Sequence, residues 1–249
     1  IDTSEIVPVT YINSAANLKA FVGEHGGTVC TSTNAPQALE WALKKGKRVL
    51  FFPDQHLGRN TGVKMGLDPH RDMALWDPFK PLGGNVAEKI VESTLVLWKG
   101  HCSVHKRFTI EQVNKARVEH PGINVLVHPE CTMDVALASD YMGSTEYIIN
   151  TIESAPPGSK WAVGTEINLV SRLAHNNPDK TVFCLDPQIC PCSTMYRIHP
   201  AFLCWALESL VNGEVRNQII VPEDIRRGAL SALEQMLALG PQKHALAVD

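Results

Sequence analysis

The sequence predicts an α/β protein of repeated, pseudo-symmetric three-layer α/β/α domains with short parallel sheets. Three observations predict it. Short β-branched runs alternate with segments of helical periodicity along the chain. The strand runs "RVLFF" and "INVLV" are continuously apolar, as in parallel strands covered on both faces. The same arrangement then recurs in a second half.

Residues 7–12 read as a strand, 13–26 as a helix closed by glycine, 28–30 as a short strand and 35–46 as a helix with a glycine stop. "RVLFFP" (48–53) is a buried strand, and Leu95-Val96-Leu97-Trp98 is another. Residues 109–122 form a helix ended by Pro-Gly, 123–129 a buried strand, 130–143 a helix, 144–154 a helix and 160–166 a strand. Further on, Phe202, Leu203, Cys204 and Trp205 fall on an amphipathic helix, with Cys204 expected in the core.

Spacing, more than identity, marks the halves as copies. Ser32, before a helix, stands 22 residues ahead of Asp54 at a strand end, and Ser144 stands 22 residues ahead of Glu166. Ligands of open parallel sheets bind beyond the carboxyl ends of the strands, so Tyr11, Asn13, Asp54, His128, Glu130 and Glu166 are expected on one kind of rim. Ser32-Thr33-Asn34 and Gly143-Ser144-Thr145 precede helices, where free N–H groups and the positive dipole end favour phosphate or carboxylate. Capping alone would also place hydroxyls there.

Composition excludes several classes. With 249 residues, 44% hydrophobic and 20% charged, and a net charge of −3, the chain has no basic footprint for nucleic acid. No apolar run approaches the roughly 18 residues of a membrane helix, and a cytoplasmic location is the expectation. Seven cysteines without secretory context fit reduced thiols or metal ligation better than a disulfide framework. "LWKGHCSVHKRF" ends an apolar strand in soft ligands, His101, Cys102 and His105. Cys190-Pro191-Cys192 marks an exposed turn, and paired Cys-x-x-Cys hooks for a zinc ribbon are lacking. His128 and Glu130 are candidates for general acid and base.

In order and spacing, "PVTYINS", "CTSTNA", "FFPDQHLGRNT", "LWKGHCSVHKRF", "VHPEC", "GSTEYII", "GTEINLVSRL" and "CSTM" resemble quinolinate synthase, the iron-sulfur enzyme of de novo NAD biosynthesis, over nearly the whole chain. The resemblance implies three pseudo-symmetric α/β domains around a central site at their junction. It also implies condensation of iminoaspartate with dihydroxyacetone phosphate, with loss of phosphate and two waters, and a functional link to an aspartate-oxidising enzyme. By carry-over, Cys102 and Cys192 are ligands of a 4Fe-4S cluster whose open iron is a Lewis acid. Tyr11, Asn13, Ser32, His128, Glu130, Ser144 and Thr145 resemble the substrate-contacting set, with Glu130, His128 and Tyr11 catalytic. Cys190 is a neighbour of the ligand, Cys131 is not needed, and Cys30 is an unsuitable substitute.

The third cysteine ligand is expected upstream of Ile1. The chain is accordingly expected to hold the second family domain (1–100), the third (101–190) and a tail (191–249) that packs on a missing first domain, and to be inactive as it stands. The residues leave two alternatives open: a zinc-dependent hydrolase using His101, His105, His128 and Glu130, and a non-catalytic two-domain small-molecule-binding module.

Overall fold

The computed structural model describes residues 2–186, 188 and 192–240. The first sheet is built from β1 (Ile6–Tyr11), β2 (Thr28–Cys30), β3 (Arg48–Phe52), β4 (Met73–Trp76) and β5 (Leu95–Trp98) in the order β2-β1-β3-β5-β4. The second holds β6 (Asn124–Val127), β7 (Tyr141–Met142), β8 (Lys160–Gly164) and β9 (Thr181–Cys184) in the order β7-β6-β8-β9. Every pairing is parallel. Such sheets need helices on their faces. The first has α1 (Ala16–Glu24), α2 (Ala35–Lys45), α3 (Gln55–Lys64) and α4 (Ala87–Glu92); the second has α5 (Ile110–Glu119), α6 (Met133–Ala138), α7 (Thr145–Ser154) and α8 (Ile167–Asn176). Two further helices, α9 (Pro200–Val211) and α10 (Glu223–Ala238), follow.

The duplication is visible in the topology. Strands β1, β2 and β3 lie in the order 2-1-3, and β6, β7 and β8 repeat it. The 22-residue step lands on one device in both copies: Asp54 caps α3, accepting the N–H groups of His56 (2.9 Å) and Leu57 (2.8 Å), and Glu166 caps α8, accepting those of Asn168 (2.8 Å) and Leu169 (3.4 Å). A carboxylate at a helix start satisfies free N–H groups and complements the dipole.

Several sequence expectations change. The helix expected over 130–143 spans only Met133–Ala138. Asp140 exchanges bonds with Val125, its N–H donating to the carbonyl at 2.9 Å and its carboxylate accepting the Val125 N–H at 2.7 Å, which draws Tyr141–Met142 into an edge strand equivalent to β2. Helices α3, α4, α8 and α10 and strands β4 and β9 were not anticipated. Cys204 is exposed, not core, because the apolar face of α9 is open among the described residues, with Phe202 58% and Trp205 45% accessible. Within the C-terminal segment, α10 packs back on α1 and β2 of the first unit and not on a missing domain. Glycine permits that contact, since a Cβ on Gly23 would meet the Gly228 carbonyl oxygen at 2.0 Å.

Each unit has its own core. Val9, Leu39, Val49, Phe51, Leu57 and Leu97 are wholly buried in the first, and Val125, Leu126, Val127, Ile148, Ile152 and Val163 in the second. Among the described residues no helix is long and apolar enough to cross a membrane.

Candidate functional site at the seam of the two units

The carboxyl ends of the central strands meet where the two units touch. Tyr11 ends β1, Asp54 follows β3, His128 and Glu130 follow β6, and Cys102 and His105 lie in the connection after β5. Backbone bonds fix that connection: Gln55 N–H donates to the Gly100 carbonyl at 2.9 Å, and Cys102 N–H to Asp54 Oδ2, also at 2.9 Å. One carboxylate thus caps α3 with one oxygen and holds the Cys102 backbone with the other.

Ligand atoms of Cys102, His105 and Glu130 lie within 4.8 Å of one another. Glu130 Oε2 is 2.9 Å from His105 Nδ1 and 3.2 Å from His128 Nδ1, and the two imidazoles stack at 4.5 Å. The His105 Nδ1 approach is an ion-pair distance lying off the hydrogen-bonding line. Nε2 of His105 meets Thr165 Oγ1 at 3.2 Å, so a residue from the end of β8 orients the ring. The side chains of His105, His128 and Glu130 are buried.

This packing decides the charges. Burial pushes Glu130 up, but the His105 and His128 imidazoles outweigh it and hold the carboxyl down to about 2. Burial pulls His105 down, yet the Cys102 thiol and the Glu130 carboxylate raise it to about 9. His128, buried beside a second imidazole, is lowered. Burial, then the Glu130 charge, pushes Asp54 up to about 6 against three backbone N–H donors, and the same two causes raise the Tyr11 phenol. A buried ionised carboxylate between two imidazoles, with a protonated phenol nearby, defines a proton-handling site.

Around it, Ser32 lies beside the Tyr11 phenol, where its hydroxyl partly offsets the rise that burial imposes. Ser32 is not the cap of α2; Asn34 holds that position, its side chain accepting the Thr31 N–H at 2.6 Å. Ser144 is the cap of α7, accepting the Tyr147 N–H at 3.3 Å, with exposed Thr145 as the first helical residue. Asn13 is exposed on the turn after β1, and Lys19 Nζ donates to the carbonyls on either side of it, Ile12 at 2.9 Å and Ser14 at 2.5 Å.

Cys102 and Cys192 are half-buried, whereas Cys30 and Cys131 are fully buried, with burial raising both thiols. Cys192 is outside the 4.8 Å group, and Cys190 lies outside the described residues. His105, expected as a soft ligand beside Cys102 and in the zinc alternative but not in the catalytic set, is the residue whose place beside Glu130 the sequence did not show. Its signal as a ligand was present, three residues after Cys102 in "GHCSVH".

Fold and site together define a class: a duplicated parallel α/β protein with a thiol–imidazole–carboxylate group at the seam of its units. Comparison with known proteins narrows it. The family model described as Quinolinate synthetase A protein matches residues 2–238, and the chain belongs to that family. It is 60% identical to the quinolinate synthase of Corynebacterium glutamicum over 236 residues, 95% of this chain and 60% of that protein. Identity to the quinolinate synthase of Rhodopirellula baltica is 54% (96% and 61% of the respective lengths), and to that of Herpetosiphon aurantiacus also 54% (95% and 63%). The chain spans about 60% of the length of the curated relatives it matches.

Proposed function

We propose that this chain is part of a quinolinate synthase, condensing iminoaspartate with dihydroxyacetone phosphate to quinolinate with loss of phosphate and two waters. An aspartate-oxidising enzyme supplies the imine. The observation that carries the reading is the meeting of the Cys102 thiol with a Glu130 carboxylate held between two imidazoles, at the strand ends of both sheets. The units are read as the second and third family domains, 1–100 and 101–190, with 191–249 as the tail.

The donor set fits a 4Fe-4S cluster. Cys102 is a half-buried thiol at the rim, where a soft metal can reach it, and the buried thiols are kept out of the set. Cys102 and Cys192 would hold the cluster with a third thiolate from the part of the family's length that this chain does not span. When bound, the cluster supplies an open iron site acting as a Lewis acid.

The protein's own groups then do the following. Ionised Glu130 accepts a proton, and the His105 imidazolium stands beside it as its ion-pair partner. Tyr11 stays a phenol and donates a hydrogen bond toward the reacting atoms. Because the Ser144 oxygen already accepts the Tyr147 N–H, its hydroxyl proton is free to donate to a phosphate or carboxylate at the start of α7. Thr145 and Asn13 complete that cradle.

The test is turnover by the full-length protein, purified without oxygen and supplied with dihydroxyacetone phosphate and freshly generated iminoaspartate. Quinolinate is the expected product, and iron-loaded protein that makes none overturns the reading. The close Cys102–His105–Glu130 group also suits a single zinc ion in a hydrolase. Elemental analysis separates the two: iron with sulfide supports the synthase, and stoichiometric zinc without sulfide supports the hydrolase.

Alanine at both Ser144 and Thr145 is expected to raise KM more than it lowers kcat, because anion contacts at a helix start hold ground and transition states about equally. Steady-state kinetics check this. A lost kcat at unchanged KM would move both residues from the cradle into the chemistry.

A further inference from the structure

We propose that Asn60 is a positioning residue for Glu130: from α3 of the first unit it clamps the turn of the second unit that carries the carboxylate. The consequence for catalysis rests on the function proposed above, while the clamp itself does not.

Helix α3 lies flush on its sheet because two glycines one turn apart face it. A Cβ on Gly58 would meet Phe51 Cδ1 at 2.6 Å and Leu97 Cδ2 at 2.7 Å, and one on Gly62 would meet Leu95 Cδ1 and Met73 Cε, both at 2.7 Å. Asn60, two residues beyond Gly58, is about 200° round the helix and points away from that sheet. It is nevertheless only 3% exposed, because the second unit covers it. Its Nδ2 donates to the Pro129 carbonyl at 2.9 Å and to the Cys131 carbonyl at 2.7 Å. An amide nitrogen has two protons. Both are used, on the carbonyls that flank Glu130.

The turn has other bonds, from Cys131 N–H to the His128 carbonyl (3.0 Å) and from His128 N–H to the Gly164 carbonyl (3.1 Å). Neither engages the carbonyls that flank Glu130. Asn60 therefore holds the peptide that leads into Glu130 and the one that leaves Cys131, bracketing the turn that carries the carboxylate, and buried carbonyls require such a partner. Asp54, at the start of the same helix, holds the Cys102 N–H. About 9 Å of rigid helix between residues 54 and 60 thus gauges Glu130 against Cys102, although α3 contributes no group to the proposed chemistry.

The test uses Asn60→Ala and the isosteric Asn60→Asp, which presents an acceptor where two carbonyls need a donor. In the 249-residue chain, hydrogen exchange at the Cys131 amide is expected to rise at least about tenfold, a loss of order one hydrogen bond, with β6 and β8 still protected. In the full-length protein kcat is expected to fall on the order of 10²-fold, the effect of displacing a reacting group by about 1 Å, with KM little changed and the acid limb of the pH profile moved. A merely structural role would raise exchange uniformly through α3 and β3 and leave the pH profile in place, and that result overturns the proposal. Unchanged Cys131 exchange in both variants overturns the clamp whatever the kinetics. A loosened turn with wild-type kinetics overturns the positioning role. Should the wild-type protein make no quinolinate, the proposed function falls and exchange alone decides the clamp. If the alanine variant does not fold, the aspartate variant, of equal volume, decides.

Discussion

Alanine at Cys102 or at Cys192 is expected to abolish the brown chromophore and quinolinate formation in the full-length protein, whereas Cys131→Ala and Cys204→Ala leave both in place. A cluster that loses a thiolate ligand is rarely retained, so the effect is all or none. The controls differ from the ligands for physical reasons. Cys131 Sγ is buried 3.6 Å from the Gly164 carbonyl oxygen, with its thiol held protonated by burial. Cys204 sits exposed on α9, where a hydrogen bond to Glu208 raises its thiol. Iron and sulfide content with the visible spectrum reads the result, and a stoichiometric cluster in either Cys102→Ala or Cys192→Ala overturns the ligand assignment.

Glu130→Gln is expected to lower kcat by about 10²- to 10⁴-fold, the range for removing a positioned acid-base group, while KM changes little. It also has a signature in the metal-free chain. His105 is raised to about 9 from 6.5 by Cys102 and Glu130 together, so its partnership with them stabilises the fold fully below pH 6.5 and is lost as pH rises through 9. Glu130 is depressed to about 2 from 4.5, so its share is present above pH 4.5 and lost as pH falls through 2. The ion pair is therefore strongest between about pH 4.5 and 6.5. In Glu130→Gln the decline of thermal stability from pH 6.5 to 9 should flatten, and the His105 titration followed by NMR should move down toward its ordinary value. A His105 midpoint unmoved by the substitution would show that Glu130 is not its partner.

Among the described residues the apolar face of α9 is open. Phe202, Leu203, Trp205, Leu207 and Leu210 are each about half accessible, an apolar stripe larger than a helix normally leaves to water. By contrast, α10 has its partner in α1, and Ala229 and Ala232 are buried there.

What the sequence by itself determined follows from local chemistry. Continuous apolar runs gave β1, β3, β5, β6 and β8, glycine stops closed α1 and α2, and "GST" before an amphipathic run announced the Ser144 cap of α7. The 22-residue step placed Asp54 and Glu166 at equivalent strand ends before any contact was known, and that each caps a helix came only with the structure. The rim residues Tyr11, His128 and Glu130 were legible because parallel strands deliver their C-terminal residues to one edge. Tertiary structure alone decided what crosses between elements. Residues 141–142 became a strand only because β6 offered them a ladder, at Leu126 and Val127. His105 acquired its role from Glu130 and Thr165, 25 and 60 residues away in sequence, and the charges of that group arise from shared burial, which residue identity does not encode. Asn60 carries no signal of its own in the sequence, and its two protons found their carbonyls only when the second unit folded against the first. A hydrogen bond between units depends on the placement of both backbones to a few tenths of an ångström, and that placement is a property of packing, not of pattern.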